Sequence, residues 1–229
     1  MFAHDAVYAR VSADEDRLAP GTTLGKMVTY VRPGQRVLDV GCGAGRLAKH
    51  LTAAGAKVVG IERQPEAAAL ARQHCTRVIE KDLDDLELLD PNERFDVMIF
   101  ADVLEHLVRP DALLKSLARN LADGGFVLVS LPNIAYYKIR WRLLRGRFEY
   151  EPFGIMDRSH LRFFTRDTAL ELLRDGGFQA TSVDAVYQVP FGRVDRYWPA
   201  MHATVGPVAP RLFAMQWVIK AELGPAPVR

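Results

Sequence analysis

Three glycines at alternate positions and one later carboxylate are the residues whose spacing most directly indicates chemistry in this sequence. Gly41, Gly43 and Gly45 form a turn in which the backbone can take positive φ values and a ligand can lie directly on the main chain. Glu62 follows about 20 residues later, where an acid can accept hydrogen bonds from both hydroxyls of a ribose. The pattern therefore predicts a nucleoside-binding site.

Such a turn needs a strand before it and a helix after it, and the sequence supplies both. Val37 to Val40 is a short apolar run typical of a strand covered on both faces of a parallel sheet. Arg46 to Thr52 begins a helix whose free N–H groups face the turn. Val58 to Ile61 reads as the next strand, which puts Glu62 at its carboxyl end. A dinucleotide-binding turn usually has a third glycine at position 46, where this chain has arginine, so a pyrophosphate site is disfavoured.

The alternation of strand and helix continues along the chain and predicts an α/β fold with a Rossmann-like, doubly wound sheet. Further strands are predicted at Arg77 to Glu80, Phe95 to Ala101, Phe126 to Leu131, Phe178 to Gln188 and Phe213 to Glu222. Helices are predicted from Pro65 through Ala71, from Asp111 to Leu121 and from Arg166 to Arg174. Periodicity alone does not give the direction of the last strand.

The chain resembles the class I methyltransferases that use S-adenosylmethionine, whose motif I is similar to VLDVGCGAG and the later GIE. The segments LPNIAYYKIRWRLLRGRF and DRSHLRFFTRD are similar to bacterial small-molecule methyltransferases associated with sugar and surface-polysaccharide biosynthesis. More distantly they resemble methyltransferase-like methionine-biosynthesis proteins, and ADVLEHL resembles a loop of ubiquinone-pathway O-methyltransferases. The resemblance implies a mostly parallel, seven-stranded sheet with a late antiparallel strand beside strand five and a helical lid after strand five.

The resemblance implies S-adenosylmethionine as the cofactor and S-adenosylhomocysteine as the product. In that family the glycine turn wraps the methionine part, the acid corresponding to Glu62 holds the ribose, and an Asp followed by an apolar residue meets the adenine. The cofactor-binding residues that follow are Asp39, Gly41, Cys42, Gly43, Gly45, Glu62, Arg63, Asp82, Leu83, Ala101, Asp102 and His106. For Asp82 the alternative is an ordinary solvated acidic loop.

Two histidines are candidates for taking a proton from an alcohol or amine acceptor, because the ordinary pKa of histidine, about 6.5, suits a base near neutrality. His160 lies in the loop after the predicted lid helix, beside Asp157, and is expected over the cofactor pocket as base or orienting residue. His106 follows strand four and is expected nearer the sheet. The alternative for both is structural, for His160 as a residue that holds its loop through a backbone hydrogen bond.

The predicted lid helix has one apolar stripe and one basic face. Ile134, Tyr137, Trp141, Leu144 and Phe148 recur at helical spacing, and the other face carries Lys138, Arg140, Arg142, Arg145 and Arg147. The basic face can attract an anionic acceptor or lie against an anionic membrane, or it can be a solvated surface. The predicted substrate-binding residues are Tyr136, Tyr137, Arg142, Asp157 and His160.

Composition limits the other possibilities. The 229 residues include 30 Lys and Arg against 28 Asp and Glu, a formal net charge of +2, which gives no general case for nucleic-acid binding. Cys42 and Cys75 have no metal-ligand spacing and are too few for a disulfide framework, so we expect no metal and a reducing compartment. No signal-like or membrane-spanning apolar run is visible, and we expect a cytoplasmic protein.

The sequence thus predicts one methyltransferase domain, at residues 36–222. Residues 1–35 form an entry segment, 134–165 the lid, 189–212 an irregular insertion and 223–229 a tail. The expected function is methylation of a small molecule, with O-methylation of a sugar or related metabolite as the leading hypothesis. A non-catalytic protein that binds the same cofactor is the alternative. An NAD-dependent oxidoreductase is disfavoured by Arg46.

Overall fold

The computed structural model describes residue 19 and residues 21–188 and 206–225. The strands are β1 (Arg36–Val40), β2 (Lys57–Ile61), β3 (Arg77–Ile79), β4 (Phe95–Ala101), β5 (Leu121–Pro132), β6 (Phe178–Tyr187) and β7 (Ala214–Leu223). The helices are α1 (Thr23–Tyr30), α2 (Arg46–Ala53), α3 (Pro65–Ala71), α4 (Pro110–Ala118), α5 (Tyr137–Leu144), α6 (Arg166–Asp175) and α7 (Pro210–Phe213). Single 3₁₀ turns occur at Leu104–His106 and Gly206–Val208.

The seven strands form one sheet in the order β3-β2-β1-β4-β5-β7-β6. The first five strands are parallel, whereas β7 runs antiparallel to both β5 and β6. This arrangement confirms the predicted Rossmann-like, mostly parallel sheet of seven strands and the late antiparallel strand. Since the chain crosses over between β1 and β4, a crevice opens at the carboxyl ends of these neighbouring strands, where open α/β sheets bind ligands.

The apolar runs form strands because both faces of the sheet are covered. In β1 and β2 only the first residue is exposed and the next four are buried. Leu38 and Val40 belong to the core on one face, and Val37 belongs to the core on the other. The period of two therefore divides one strand between two hydrophobic cores. The result is a rigid sheet whose carboxyl edge carries the candidate site.

Several predicted boundaries differ from the structure. The helix α4 ends at Ala118 rather than Leu121, and β5 begins at Leu121 rather than Phe126. The glycine pair predicted to precede β5 lies inside it, where the pairing with β4 shifts register and Gly124 has a φ of 73°. A left-handed glycine inside the strand makes this irregularity possible, which alternation of apolar residues cannot reveal.

The largest difference concerns the lid. A helix with an apolar stripe from Ile134 to Phe148 was expected, but α5 has only eight residues and ends before Gly146, whose φ is 70°. Ile134 and Tyr137 at the start of this stripe are partly buried, but Trp141, Leu144 and Phe148 are 55, 78 and 48% exposed, so the later part of the stripe is largely uncovered. Instead the lid is anchored by the other apolar residues Tyr136, Ile139 and Met156.

Parts of the predicted segments lie outside the described residues, namely 1–18 and 20 of the entry segment, 189–205 of the insertion and 226–229 of the tail. Where the insertion is described, residues 206–212 contain the second 3₁₀ turn and the start of α7. Within the described ranges, no helix combines the length and the apolar character that crossing a membrane requires.

Candidate active site

The glycine turn after β1 is held to the end of β2 by the backbone. The N–H groups of Gly41 and Cys42 both donate to the carbonyl of Ile61, at 2.9 and 3.0 Å. Gly41, Gly43 and Gly45 have φ values of 71, 53 and 81°, which L-residues with side chains rarely adopt. The predicted turn is therefore present, and α2 begins immediately after it.

The three glycines serve different purposes. A Cβ at Gly41 would lie 2.7 Å from the Cγ2 of Val103, and a Cβ at Gly45 would lie 2.8 Å from the Cα of Ala71 in α3. These two glycines permit close packing. At Gly43 a Cβ would meet no described atom within 4 Å, so its open side faces free space. A ligand can approach the main chain at Gly43.

Glu62 faces the turn from the end of β2. Its Oε2 accepts a hydrogen bond from the N–H of Gly43 at 3.0 Å, and its Oε1 accepts one from the N–H of Gln64 at 2.8 Å. The carboxylate is thus fixed at the open side of the turn rather than directed into solvent. Each oxygen retains a lone pair with which it can accept a hydroxyl of a bound nucleoside.

Asp39 lies beneath the turn, in β1, and is 2% exposed. Its Oδ2 has no hydrogen-bond partner in the described part of the chain. Burial raises the pKa of this carboxyl from 3.8 to about 7, and the negative charge of Glu62 adds to the effect. A buried carboxyl oxygen without a partner is costly, so Asp39 is suited to accept a donor group from a ligand.

The adenine-side residues form a looser group. Arg63 pairs with Asp82 at 3.3 Å, and both side chains are at least half exposed. The N–H of Asp84 donates to Asp82 at 3.1 Å, and this bond together with Arg63 lowers the pKa of Asp82. Leu83 packs on the core close to Gly41. The arrangement is compatible with both the adenine contact and the alternative of a solvated loop.

The thiol of Cys42 lies between the turn, where it is 3.8 Å from the carbonyl of Gly43, and strand β2. A Cβ placed on Gly60 would lie 2.5 Å from the Sγ of Cys42 and 3.2 Å from that of Cys75, so both thiols lie beside β2. The contact with Cys75, burial and nearby negative charges raise the pKa of the Cys42 thiol, and both cysteines are free. A reactive thiolate role is therefore not supported.

Asp102 turns the chain at the carboxyl end of β4, directly after Ala101. Its φ of 54° is the one positive value at a non-glycine position within the described ranges. Ser130 of β5 donates its hydroxyl to Asp102 at 2.8 Å, and Gln216 of β7 donates to the same oxygen. Desolvation still raises the pKa of Asp102, although the residue remains accessible to solvent.

The residues that hold Asp102 were not found from the sequence. Gln216 accepts from the hydroxyl of Thr23 in α1, so Thr23, Gln216, Asp102 and Ser130 form one network across α1, β7, β4 and β5. No sequence motif marks Ser130 or Gln216, since they meet only through the pairing of β5 with β4 and β7. Strand register is the signal that is missing from one sequence.

His106 has an ordered tautomer. Its Nδ1 lies 3.3 Å from the carbonyl of Ser159 and 3.2 Å from the hydroxyl of Ser159. The hydroxyl of Ser159 donates its hydrogen to Asp157 at 2.7 Å. The hydroxyl oxygen and the carbonyl oxygen of Ser159 are therefore both acceptors for the Nδ1–H of His106. The Nε2 atom therefore carries the lone pair. Burial and the neighbouring His160 lower the pKa of His106, which keeps the ring neutral near pH 7.

His160 is buried, with 7% of its surface exposed. Its Nδ1 donates to the carbonyl of Ile155 at 3.1 Å, and its Nε2 lies 3.9 Å from Oε1 of Glu105. The rings of His106 and His160 meet edge to face at 4.8 Å. Both nitrogens of His160 thus face the protein, and burial lowers the pKa of its ring.

Glu105 is a buried acid that no sequence motif marks as a functional residue. It is 1% exposed, neither carboxylate oxygen has a hydrogen-bond partner in the described residues, and burial raises its pKa well above the ordinary value. Its carbonyl accepts from the N–H groups of Leu161 and Arg162, which ties the loop of His160 to the 3₁₀ turn of His106. Ligand atoms of Glu105, His106 and His160 lie within 4.8 Å of one another and are of a type that can hold a divalent ion.

The other predicted substrate residues are dispersed. Tyr136 is buried in the lid and donates to Gln188 at 2.7 Å, and Tyr137 packs against it at 4.7 Å. Arg142 forms an ion pair with Glu151 at 2.7 Å. Asp157 is 1% exposed and accepts from the N–H and hydroxyl of Ser159. The structure brings His106, His160 and Asp157 together, but it does not bring Arg142 to them through any described contact.

Residues 13–183 match the model of a family described as a methyltransferase domain. The chain belongs to this methyltransferase family. Its members use S-adenosylmethionine, and the turn at Gly43 with the carboxylate of Glu62 remains the predicted site for that cofactor. The family match confirms the resemblance that motif I indicated.

Relatives and solved structures agree with this assignment. The ubiquinone biosynthesis O-methyltransferase of Bradyrhizobium diazoefficiens is 33% identical over 172 residues, 69% of this chain and 64% of the relative. The ubiquinone biosynthesis O-methyltransferase of Nitrobacter winogradskyi is 30% identical over 173 residues, which are 69% of this chain and 62% of that relative. The methyltransferase therefore spans less than two thirds of the length of these relatives.

Two crystal structures share the fold. The magnesium protoporphyrin IX methyltransferase of Synechocystis with bound S-adenosylhomocysteine superposes with a TM-score of 0.61 at 18% identity, over 89% of this chain and 83% of that chain. A SAM-dependent methyltransferase of Archaeoglobus fulgidus has the same TM-score and identity over 96 and 94%. At this identity the comparison shows the fold alone.

The residues present fit the cofactor. Gly43 leaves space on the open side of the turn, Glu62 presents acceptors beside it, and Asp39 holds a buried oxygen that lacks a partner in the described chain. These are the three requirements for a bound nucleoside that also carries an amino group.

Proposed function

We propose that this methyltransferase transfers a methyl group from S-adenosylmethionine to an oxygen of a small-molecule acceptor. The observation that carries the proposal is the position of Glu62, whose carboxylate bonds to Gly43 at the open side of the glycine turn. The names of the relatives, which are O-methyltransferases, support oxygen as the acceptor atom. A sugar or related hydroxyl-bearing metabolite is the acceptor class that we propose.

In this proposal Glu62 holds the ribose, the backbone of Gly41 to Gly45 holds the methionine part, and Asp82 and Leu83 hold the adenine. Asp39 accepts from the amino group through its buried oxygen. Asp102 and Ala101 close the pocket at the end of β4. The bound cofactor supplies a methyl group already activated by a positive sulfur, so the protein has to hold the acceptor in line and remove its proton.

His106 is the residue that we propose as the base. Its Nδ1–H is occupied by Ser159, which leaves the Nε2 lone pair to take the proton of an acceptor hydroxyl. His160, whose two nitrogens face Ile155 and Glu105, is proposed as a positioning residue for His106 rather than as a second base. Asp157 acts through Ser159 to fix the tautomer of His106.

Binding and turnover test the proposal separately. Calorimetry should show saturable S-adenosylmethionine binding, and Glu62→Gln should weaken it roughly tenfold, since the lost charge weakens the acceptors for two hydroxyls. Glu87→Gln, in an exposed loop, is the matched control. Cofactor affinity that is unchanged in Glu62→Gln would remove the observation on which the proposal depends.

A methyl-release assay then compares sugar hydroxyls, nucleotide-linked sugars, aromatic hydroxyls and amines as acceptors. Turnover with a hydroxyl acceptor supports O-methylation. Turnover with amines alone would contradict oxygen as the acceptor atom. Cofactor binding without turnover on any acceptor would favour the non-catalytic alternative.

We also propose that the lid makes peripheral contact with an anionic membrane surface. Trp141, Leu144 and Phe148 are exposed beside basic residues, and the guanidinium of Arg145 lies over the ring of Trp141 at 4.3 Å. Trp141 and Leu144 lie in α5, and Arg145 and Phe148 follow it. Exposed apolar and basic side chains grouped in this way are typical of interfacial binding. Sedimentation with vesicles that contain anionic lipid should bring down the protein, and Trp141→Ser should reduce this. Equal sedimentation with neutral vesicles would contradict a contribution of the basic side chains to membrane binding.

A further inference from the structure

A small cleft lies at the end of β5, between the lid helix α5 and the first turn of α6. The residues that matter to its chemistry are Arg140, Thr165, Arg166, Asp167, Arg211 and Trp217. We call this group the arginine cleft. Its volume is about 130 Å³. Pockets that bury a whole small molecule usually measure about 300–1,000 Å³, so the arginine cleft suits one functional group of a larger molecule.

The arginine cleft carries an excess of positive charge. Arg211 lies 3.0 Å and Arg166 lies 3.7 Å from the same oxygen of Asp167. Arg140 donates from Nε to the carbonyl of Ala135 at 2.5 Å, which fixes its guanidinium at the wall. The lining therefore contains three guanidinium groups and one carboxylate, which contacts two of them. Planar guanidinium groups present paired N–H donors that match the oxygens of phosphate and carboxylate.

Trp217 gives a second, independent indication of a ligand. It lines the cleft and is 2% exposed, and its Nε1–H has no hydrogen-bond partner in the described part of the chain. The indole N–H can only donate, so its missing partner must be an acceptor. Buried donors are nearly always satisfied in proteins, so an acceptor that enters the cleft beside the indole is a candidate for the missing partner.

The first turn of α6 contributes further donors. Thr165 is the N-cap, and its hydroxyl accepts from the N–H of Thr168. The amides of Arg166 and Asp167 have no intrahelical acceptor, because the first four N–H groups of any helix lack one. They stand at the positive end of a ten-residue helix, a location that favours anions.

We propose that the arginine cleft binds an oxyanion of the phosphate type that belongs to the methyl acceptor. The assignment of the anion to the acceptor rests on the proposed function, whereas the binding of the anion does not. Asn133 lines the cleft and follows Ser130, the partner of Asp102, by three residues. An extended strand covers about 10 Å over that distance, so an acceptor anchored in the cleft can reach the carboxyl edge of β4.

The proposal places anion recognition away from most of the basic face predicted on the lid. Arg142 is already paired with Glu151 at 2.7 Å, and Arg145 lies on Trp141. Arg140 belongs to this basic face and lines the cleft. The other two arginines of the cleft, Arg166 and Arg211, come from α6 and α7. Three separate segments therefore have to fold together before the anion can bind.

Inorganic phosphate and pyrophosphate are the probes for the binding test. In a ¹H–¹⁵N spectrum of the full chain, the Nε1–H signal of Trp217, assigned by its loss in Trp217→Phe, should shift saturably with either anion at constant ionic strength. The double variant Arg166→Gln/Arg211→Gln should weaken this binding roughly tenfold or more, because charge-assisted hydrogen bonds are lost. Arg119→Gln, an exposed arginine at the end of α4, is the control and should bind as the wild type does.

Three results would overturn the proposal. The Trp217 signal could stay unmoved, chloride could shift it equally, or Arg119→Gln could lose as much affinity as the double variant. Calorimetry with S-adenosylmethionine accompanies each variant, and its affinity should stay constant. A double variant that fails to fold would show no cofactor binding. In that case Trp217→Phe replaces it, and calorimetry measures its affinity for pyrophosphate. This variant should also bind pyrophosphate more weakly than the wild type does.

Kinetics assign the anion to the acceptor. Pyrophosphate should inhibit methyl transfer competitively against the acceptor and leave the KM of S-adenosylmethionine unchanged, and the double variant should raise the KM of the acceptor. Inhibition competitive with S-adenosylmethionine would overturn this assignment. Failure of the proposed function is distinguishable, since it would abolish methyl release while the Trp217 signal still responds to phosphate.

Discussion

The proposed cofactor side and the proposed acceptor side of this methyltransferase are built in different ways. On the cofactor side, from β1 to β3, the backbone forms the site, and Gly41, Cys42 and Glu62 are held by main-chain hydrogen bonds of 2.9 to 3.0 Å. On the acceptor side, side chains form the site. There Glu105, Asp157 and two histidines are packed together at the base of a lid that leaves Trp141 and Phe148 exposed.

The difference teaches which part of the site is complete without a ligand. A turn made by glycines and strand ends is fixed by the sheet itself, so it is ready for the cofactor. A group of buried ionisable side chains is costly to hold, because unpaired charge in the interior is destabilising. We expect the acceptor side to be retained for catalysis rather than for stability, and the following variants test this expectation.

The largest effect should come from His106→Gln. Loss of the base should lower kcat about 10²- to 10⁴-fold, the range for general base catalysis, while the affinity for S-adenosylmethionine stays the same. In the wild type, kcat should fall on the acid side below pH 6.5, because the pKa of His106 is lowered from that value. The measurement is a pH profile of single-turnover methyl transfer.

His74→Gln, before β3 at the opposite edge of the sheet, is the control and should retain the wild-type profile. If His106→Gln keeps the wild-type rate and the fall of kcat at acid pH, the reaction needs no base and is driven by proximity alone. The acceptor side would then act only by positioning, as the cofactor side does.

Asp39 should make stability depend on pH. Its carboxyl keeps its proton up to a pKa of about 7 in the folded protein but loses it near 3.8 when unfolded. The unfolded state is therefore increasingly favoured as pH rises from about 4 to 7, and the contribution of Asp39 falls by an amount on the order of 4 kcal/mol. Denaturant titrations of the protein without cofactor at several pH values measure this slope.

In Asp39→Asn the slope should be reduced. Glu105→Gln is the matched variant on the acceptor side, since burial raises the pKa of Glu105 in the same direction. If neither variant changes the dependence of unfolding free energy on pH, these two buried carboxyls do not keep their protons. Any destabilisation by the acceptor side would then have another origin.

Gly45→Ala should be more harmful to folding than Gly43→Ala. At Gly45 the φ of 81° and a contact of 2.8 Å with the backbone of α3 both oppose a side chain, and the expected loss of unfolding free energy is about 2–4 kcal/mol. Gly43 has a positive φ but open space, so alanine there should cost about 1–2 kcal/mol and should weaken cofactor binding. Thermal unfolding with and without S-adenosylmethionine separates the two effects. Equal destabilisation by both variants would show that packing against α3 is unimportant.

These contrasts also explain what the sequence could reveal. The glycine turn, Glu62 and the order of elements were predictable because local spacing determines them, and the structure confirms the sheet. Ser130, Gln216 and Glu105 were not, since their contacts depend on strand register or on a loop that returns to a distant turn. Arg166 and Arg211 are also far apart in the sequence, and only the folded structure places both beside the lid in one cleft.

The predicted helix after β5 is present, but its length and its buried face differ from the prediction for a physical reason that applies beyond this chain. A spacing of three and four residues from Ile134 to Phe148 indicates an apolar face, but it does not say whether anything covers that face. Tyr136 and Ile139, outside the predicted stripe, form the buried side of α5 with Met156. The exposed aromatic residues therefore require a functional explanation, whereas the buried ones require only packing.

The smallest expected effect follows from this distinction. Trp141→Ser should change the unfolding free energy by no more than about 0.5 kcal/mol, because Trp141 is 55% exposed and its contact with Arg145 lies at the surface. Ile139→Ser, two residues earlier and 5% exposed, should cost several times as much, about 2–3 kcal/mol, since it removes apolar contacts from the anchored side of the lid. Denaturant unfolding of both variants makes the comparison. A large loss in Trp141→Ser would mean that the apolar stripe is covered in solution after all, and the lid would then owe its aromatic residues to stability rather than to a surface that it meets.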